Sequence, residues 1–234
     1  MNKPSLVHIV SVIFPNLEEL QIHYVHPKEA ESLKFMKDLV SLRSLMIGVV
    51  GLEYLKTTFF SIGMNLVTFR YVFYGRDSGQ IDLSIIQQNC RNLRTLSLSG
   101  NCVVSDPKFG SKNEEIFPRL TDLHISTHSF IPMRVWSSLL ATCTSLDKID
   151  LANCEGLNDD SLAQILANNP KSLLRVTKVN IKGGHKGDVA LTERSVLMLH
   201  KRCSLLTQLG DCFTWSLYGD GSYVSGYSGT RGVI

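Results

Sequence analysis

Ser99, His124 and Asp150 are of the three types that a hydrolase combines: a hydroxyl nucleophile, an imidazole base and a carboxylate to orient it. To act together they would need hydrogen-bond reach, and also an oxyanion hole on a strained turn or in a dry pocket. A second candidate, Gly183-Gly184-His185-Lys186-Gly187, has the glycines and lysine of a phosphate-cradling loop. It lacks the G-x-x-x-x-G-K-S/T spacing and Asp188 follows its last glycine, so it reads as a turn. Metal binding would call for close ligand pairs, and none of the six cysteines forms a C-x2-C pair. No metal and no cofactor is expected.

What these residues can do depends on the elements that carry them. The stretch Cys90 to Asn101, CRNLRTLSLSGN, sets Leu93, Leu96 and Leu98 at the Leu-x-x-Leu-x-Leu spacing of a leucine-rich repeat, each unit of which supplies one strand and one helix or turn. The same register recurs at Leu17/Leu20/Ile22, Leu42/Leu45/Ile47, Leu66/Phe69/Tyr71, Leu120/Leu123/Ile125, Leu146/Ile149/Leu151, Val176/Val179/Ile181 and, less well, Leu206/Leu209. The intervals are about 24 to 30 residues, the period such repeats require. The expected fold is therefore α/β: a leucine-rich-repeat solenoid of about eight repeats over residues 1–212, with a curved parallel sheet on the concave side and helices on the convex side. Residues 213–234, rich in Gly, Ser and Tyr, are expected to be partly a cap and partly disordered. On such an open sheet Ser99, His124 and Asp150 have no pocket, so a hydrolase is the remote reading and the chain is expected to be non-catalytic.

Side chains alternate along a strand, so residues between the repeat leucines must face outward. One outward row runs Gln21, Met46, Arg70, Ser97, His124, Asp150, Asn180, Gly210; a second runs Glu19, Ser44, Thr68, Thr95, Asp122, Lys148, Lys178, Gln208. The expected protein-binding face comprises Arg70, Thr95, Ser97, Ser99, Asp122, His124, Lys148, Asp150, Lys178 and Asn180. Lys148, Lys178 and Lys182 make its far end basic, and Glu18 and Glu19 make the near end acidic. A gradient of that kind can orient a polar segment of a protein partner.

Helical connections are expected from Pro27, around Leu52 to Ile62, over Ile81 to Cys90, from Pro132 (burying Val135, Trp136, Leu139 and Leu140), after Asn158 or Asp159 (burying Leu162, Ile165 and Leu166), and over Val196, Leu197 and Leu199. Residues 103–118 read as a long surface loop with one turn near Glu114 to Ile116. The apolar start, with Leu6, Val7, Ile9, Val10 and Ile13, reads as the buried side of a helix and not as a signal peptide, for want of a small-residue cleavage site. Phe59, Phe60, Tyr71 and Trp136 fall mostly at core spacing, not as base-stacking platforms. Hydrophobic content of 44% and charge of 19% fit a folded protein, and the net charge of +3 gives no pull toward nucleic acid or membrane. No run of 18 apolar residues suggests a transmembrane helix.

Cys90, Cys143 and Cys203 each stand three residues before a repeat leucine, and Cys102 and Cys154 follow the strands of alternate repeats. Equivalent positions two repeats apart are separated by roughly 10 Å, too far for a disulfide. Reduced, buried thiols are expected, and with them a cytoplasmic or nuclear location.

CRNLRTLSLSGN and CTSLDKIDLANCEGLNDDSLAQIL resemble the cysteine-containing class of leucine-rich repeats found in F-box proteins, and Cys143 to Leu166 matches that class nearly throughout. The resemblance covers roughly residues 14 to 212. It implies a substrate-recognition repeat region of an F-box-like ubiquitin ligase receptor, and it implies that Asn101 satisfies backbone groups at its turn. The residues ahead of Leu17 are too few to hold an F-box, so a cullin-RING ligase adaptor is an expected partner only where an F-box lies outside this sequence. The eighth repeat departs from the pattern in placing Asp211 where an apolar residue should point inward. The alternative is a free-standing repeat scaffold or inhibitor unrelated to ubiquitin.

Overall fold

The computed structural model describes residues 5–49, 51–74, 79–100, 102–105, 116–154, 156–182 and 191–210. Helix α1 (Leu6–Ile13) leads to β1 (Glu19–Ile22), a 3-10 helix (Pro27–Asp38) and β2 (Ser44–Val49). A mixed connection of a 3-10 turn (Leu52–Leu55), α2 (Lys56–Ile62) and a second turn (Gly63–Asn65) leads to β3 (Thr68–Phe73). There follow β4 (Gly79–Asp82), α3 (Leu83–Asn89), β5 (Thr95–Gly100), β6 (Cys102–Ser105), β7 (Asp122–Ile131), α4 (Met133–Thr142), β8 (Lys148–Cys154), α5 (Asp159–Asn168), β9 (Lys178–Lys182), α6 (Glu193–Arg202) and β10 (Gln208–Gly210).

Eight strands form one parallel sheet in the order β1-β2-β3-β5-β7-β8-β9-β10, so each repeat strand lies beside the next. This is a repeat fold like that of leucine-rich repeats. The repetition reaches the single atom. The carbonyl of Glu18 accepts from the amides of both Arg43 and Ser44 at 2.8 and 2.9 Å, and the carbonyls of Arg43, Val67, Arg94, Thr121, Asp147 and Thr177 each accept the two equivalent amides of the next unit. Leu20, Leu45, Phe69, Leu96, Leu123, Ile149, Val179 and Leu209 are thereby aligned across the sheet.

The core fills the space behind the sheet. Leu93, Leu96 and Leu98 are fully buried, as are Val135, Trp136 and Leu139 of α4. Asn158 caps α5, its side chain accepting from Ser161 N at 2.8 Å, and Leu162, Ile165 and Leu166 are buried as their spacing predicts. Cys90, Cys143 and Cys203 end α3, α4 and α6, a position that Leu39, Gly63, Phe117 and Leu173 occupy in other units, all buried. A thiol therefore serves there as a small apolar group. Burial pushes the Cys90 and Cys154 thiols up to about 12 and those of Cys102 and Cys203 up to about 11, so they stay protonated and poorly nucleophilic. Among the described residues no two cysteines form a disulfide.

Several elements differ from the sequence-based expectation. Ile81 lies on β4, and the helix starts at Leu83, because Asp82 accepts from Ser84 N and caps it. Residues 103–105, expected at the start of a loop, belong instead to β6, which pairs with β4 in a separate two-stranded sheet. The connection from Pro27 is a 3-10 helix. Of the residues expected on the buried side of α1 only Val7 is buried, whereas Leu6, Ile9 and Ile13 are exposed and Val10 is half-buried, because the buried stripe is the i, i+4 pair Val7 and Ser11. Phe60 and Leu197 lie outside the core, 85% and 66% exposed, since Thr58 and Ser195 supply the buried side chains of their helices. Asn101, residues 106–115, Gly183 to Gly187, Asp211 and the tail 213–234 lie outside the described residues.

A clamp that short-range patterns do not reveal joins the last two helices. Asp159 opens α5 and accepts from Thr192 N, Thr192 Oγ1 and Ser195 Oγ at the start of α6. Burial works to raise its carboxyl, but these hydrogen bonds outweigh it and hold the group below the ordinary aspartate range. No helix among the described residues is long and apolar enough to cross a membrane.

Leu96→Ala should destabilise the protein by about 2 to 5 kcal/mol, the cost of emptying a packed leucine site, whereas Phe60→Ala should stay within about 0.5 kcal/mol. Chemical denaturation of the two variants checks this.

Candidate functional site

Both expected outward rows exist. Glu19, Ser44, Thr68, Thr95, Asp122, Lys148, Lys178 and Gln208 are consecutive register partners, as are Gln21, Met46, Arg70, Ser97, His124, Asp150, Asn180 and Gly210. A third row aligns Gly48, Val72, Ser99, Ser126, Ala152 and Lys182. All ten sequence-predicted site residues stand on this face. Arg70, Lys148 and Lys178 are exposed and the other seven are half-buried.

Two polar clusters organise its centre. His124 Nδ1–H donates to Asp150 Oδ2 at 2.8 Å, and Asn180 Nδ2 donates to Asp150 Oδ1 at 2.9 Å, so one carboxylate bridges three strands. A carboxylate can only accept, which places the imidazole proton on Nδ1 and leaves Nε2 as the ring's other polar atom. The His124 hydrogen bond holds the Asp150 carboxyl below its ordinary 3.8 against the opposing effect of burial, with the charges of His124 and Lys182 and the Asn180 amide adding to it. Beside this cluster Lys148 Nζ meets Asp122 Oδ1 at 2.9 Å, and Thr121 Oγ1 donates to Asp122 Oδ2 at 2.7 Å. The Asp122 hydrogen bond and charge raise the Lys148 ammonium above its ordinary value.

This geometry does not assemble a nucleophile with its base. Ser99 Oγ donates to the Tyr71 carbonyl at 3.5 Å, and the register neighbour of His124 is Ser97, not Ser99. Neither hydroxyl bonds to the imidazole. The side-chain oxygen Oδ1 of Asn180 is covered and without a donor, because its amide nitrogen is committed to Asp150 and Gly210 closes in beside it. Among the described residues no group of three or more His, Cys, Asp or Glu could hold a metal ion.

A feature absent from the sequence reading lies past the ends of β1 and β3. Tyr24 meets His26 and Tyr74 edge to face, with ring centroids 6.4 and 5.7 Å apart. The Tyr74 ring closes over Gly48, where an added Cβ would sit 2.3 Å from the ring and 2.1 Å from the His23 carbonyl. The signal in the sequence is Gly48 standing within the β2 strand Ser44–Val49.

No family model matches the chain, and no curated protein matches it in sequence. Among solved structures it is similar to a chain of the yeast Rad7 and Elc1 complex, with 18% identity and a TM-score of 0.48. The match covers 87% of the present chain and 59% of that one, so the present chain spans less than two thirds of it.

Because Asp150 is held below its ordinary value, its contribution is present above pH 3.8 and is lost as pH falls through the lower folded value. NMR titration of the side-chain carboxyl should place its midpoint below 3.8, and His124→Ala should move that midpoint upward.

Proposed function

We propose that this chain is a non-catalytic protein-interaction module that receives a protein partner on the polar face of its parallel sheet. The observation that carries the reading is the bridged set of His124, Asp150 and Asn180 beside the Asp122–Lys148 pair, at the centre of an open, in-register surface. Polar side chains held in place by one another lose little freedom when a partner docks, which favours recognition. Curvature of the sheet, concave on this side, belongs to the same reading.

The finer reading is the substrate-recognition region of an F-box-like ubiquitin ligase receptor. It is supported by the resemblance of Cys143 to Leu166 to F-box repeats and by buried cysteines that form no disulfide among the described residues, which suit a reducing cytoplasmic or nuclear setting. Co-purification of the complete gene product with a cullin-RING adaptor would support it. Failure of that product to bind any such adaptor leaves the free-standing scaffold or inhibitor.

Asp122→Lys combined with Asp150→Lys should abolish capture of the partners that the wild-type chain retains, with a Tm shift of a few degrees at most. Affinity capture with mass spectrometry, run beside thermal unfolding, measures both. Undiminished capture by the folded double variant would place the partner elsewhere.

A further inference from the structure

The first unit leaves one edge of the sheet open. In every later unit the residue that opens the strand donates its amide to the unit before it, from Ser44 to the Glu18 carbonyl through to Gln208 to that of Thr177. Glu19 holds that place in β1, and among the described residues neither its amide nor that of Glu18 makes such a bond. Backbone groups alternate in direction along a strand, so Leu20 and Ile22 turn theirs toward β2 while Glu19 and Gln21 present theirs to the open edge. The strand has no proline, lysine or bulge to blunt that edge. Glu19 is its one charge, and Gln21 Nε2 donates to it at 2.8 Å.

The helix layer is open at the same end. Helix α1 packs on the 3-10 helix Pro27–Asp38, with the His8 ring 4.4 Å from that of Phe35, and buries Val7 and Ser11. The face directed away from that contact carries Leu6, Ile9, Val12 and Ile13, all exposed, Leu6 by 75% and Ile13 by 60%. That face holds no polar or charged side chain, and a helix apolar on both sides belongs in an interior. Leu17, Leu20 and Ile22 stand in the core rows of the same unit and are only partly buried. The bare strand edge, the apolar helix face and the half-covered core positions make up one end of the solenoid.

We propose that this end is the interface of a two-fold dimer, with β1 of one copy antiparallel to β1 of another. A two-fold axis turns an open edge into an antiparallel pair, and side chains directly opposite must share a face. Glu19 can therefore stand opposite Glu19, Gln21 or His23 of the other copy, but not opposite Ile22. The first sets like charges together, and His23 lies beyond the strand. The remaining register places Leu20 opposite Leu20 on the axis and Gln21 of each copy opposite Glu19 of the other, so the amide that already serves Glu19 meets a second carboxylate. Helix α1 offers no charge that would call for a different, oppositely charged partner, and apolar interfaces of this kind are those of homodimers. The interface rests on the register alone. On the partner reading above it also joins two polar faces into one surface, on which a partner with two docking segments would gain avidity.

Sedimentation velocity on the full chain from about 1 to 100 μM should show a monomer passing to a species of twice the mass and no further. Leu6→Glu combined with Ile13→Glu should weaken the dimer about tenfold or more, with unchanged thermal unfolding because both side chains are exposed. Gln21→Pro, which removes an edge amide that no strand of the same chain uses, should do the same. Under mild oxidation Leu20→Cys should give a disulfide-linked dimer and Gln21→Cys should not, since only position 20 faces itself across the axis. A wild-type chain that stays monomeric would overturn the proposal and leave this end to a segment of another protein. Open-ended assembly, a dimer indifferent to the α1 and Gln21→Pro variants, or a dimer that crosslinks at Gln21→Cys and not at Leu20→Cys would overturn it as well.

Discussion

One backbone contact governs the molecule: at every step of the sheet, the carbonyl just ahead of a strand accepts two amides from the next unit. The contact recurs from Glu18 to Thr177 without a slip. Because strand side chains alternate, a shift of one residue would turn a whole strand's leucines outward and its polar residues into the core. The shared carbonyl thus fixes both faces at once. Core packing and the outward rows are two consequences of a single register.

With register settled at the start of each strand, the connections are free to differ. They are a 3-10 helix after β1, a mixed helix after β2, and regular helices from α4 onward. What they share is a side chain reaching back to the preceding unit: Asn65 to the Val40 carbonyl, Asn92 to that of Met64, Ser145 to that of Pro118, and Asn169 to that of Ala141. Inside the helix layer Thr58 does the same to the Leu33 carbonyl. Each unit satisfies polar groups its predecessor would otherwise leave open, as buried backbone requires. The first unit has no such neighbour among the described residues. Leu17, Leu20 and Ile22 are accordingly only partly buried, where Leu42, Leu45 and Ile47 are fully so.

The strands and their order were legible because three apolar positions recur at fixed spacing along the sequence. The small sheet of β4 and β6 was not, since Gly79-Gln80-Ile81-Asp82 carries a single apolar residue and its partner lies about two dozen residues away. Helix α1 is apolar on nearly every side, so periodicity could not say which side is buried; Ser11 is buried there while its hydroxyl donates to the His8 carbonyl. The outward rows followed from alternation alone. Their bonding did not: whether His124 turns to Ser97 or to Asp150 is a matter of side-chain rotamer, as is the reach of Asp159 to Thr192 and Ser195.

That rotamer choice decides what the face can do. An imidazole donating to a carboxylate that also holds an amide is fixed in orientation, and no side-chain hydroxyl among the described residues bonds to it. The same bonds tie Asp122 to Lys148 and Asp150 to His124 and Asn180, whereas Arg43, Arg70 and Arg94, around β2 to β5, make no ion pair among the described residues. On the proposed reading, a partner crossing the strands meets a hydrogen-bonded centre with exposed arginines to one side and Lys178 to the other. Pairing a charge on the rim costs little desolvation and speeds encounter, whereas displacing the bridged Asp150 would leave the half-buried His124 and Asn180 without their acceptor. On the proposed reading, specificity comes from fitting around the fixed centre, and attraction from the exposed basic side chains beside it.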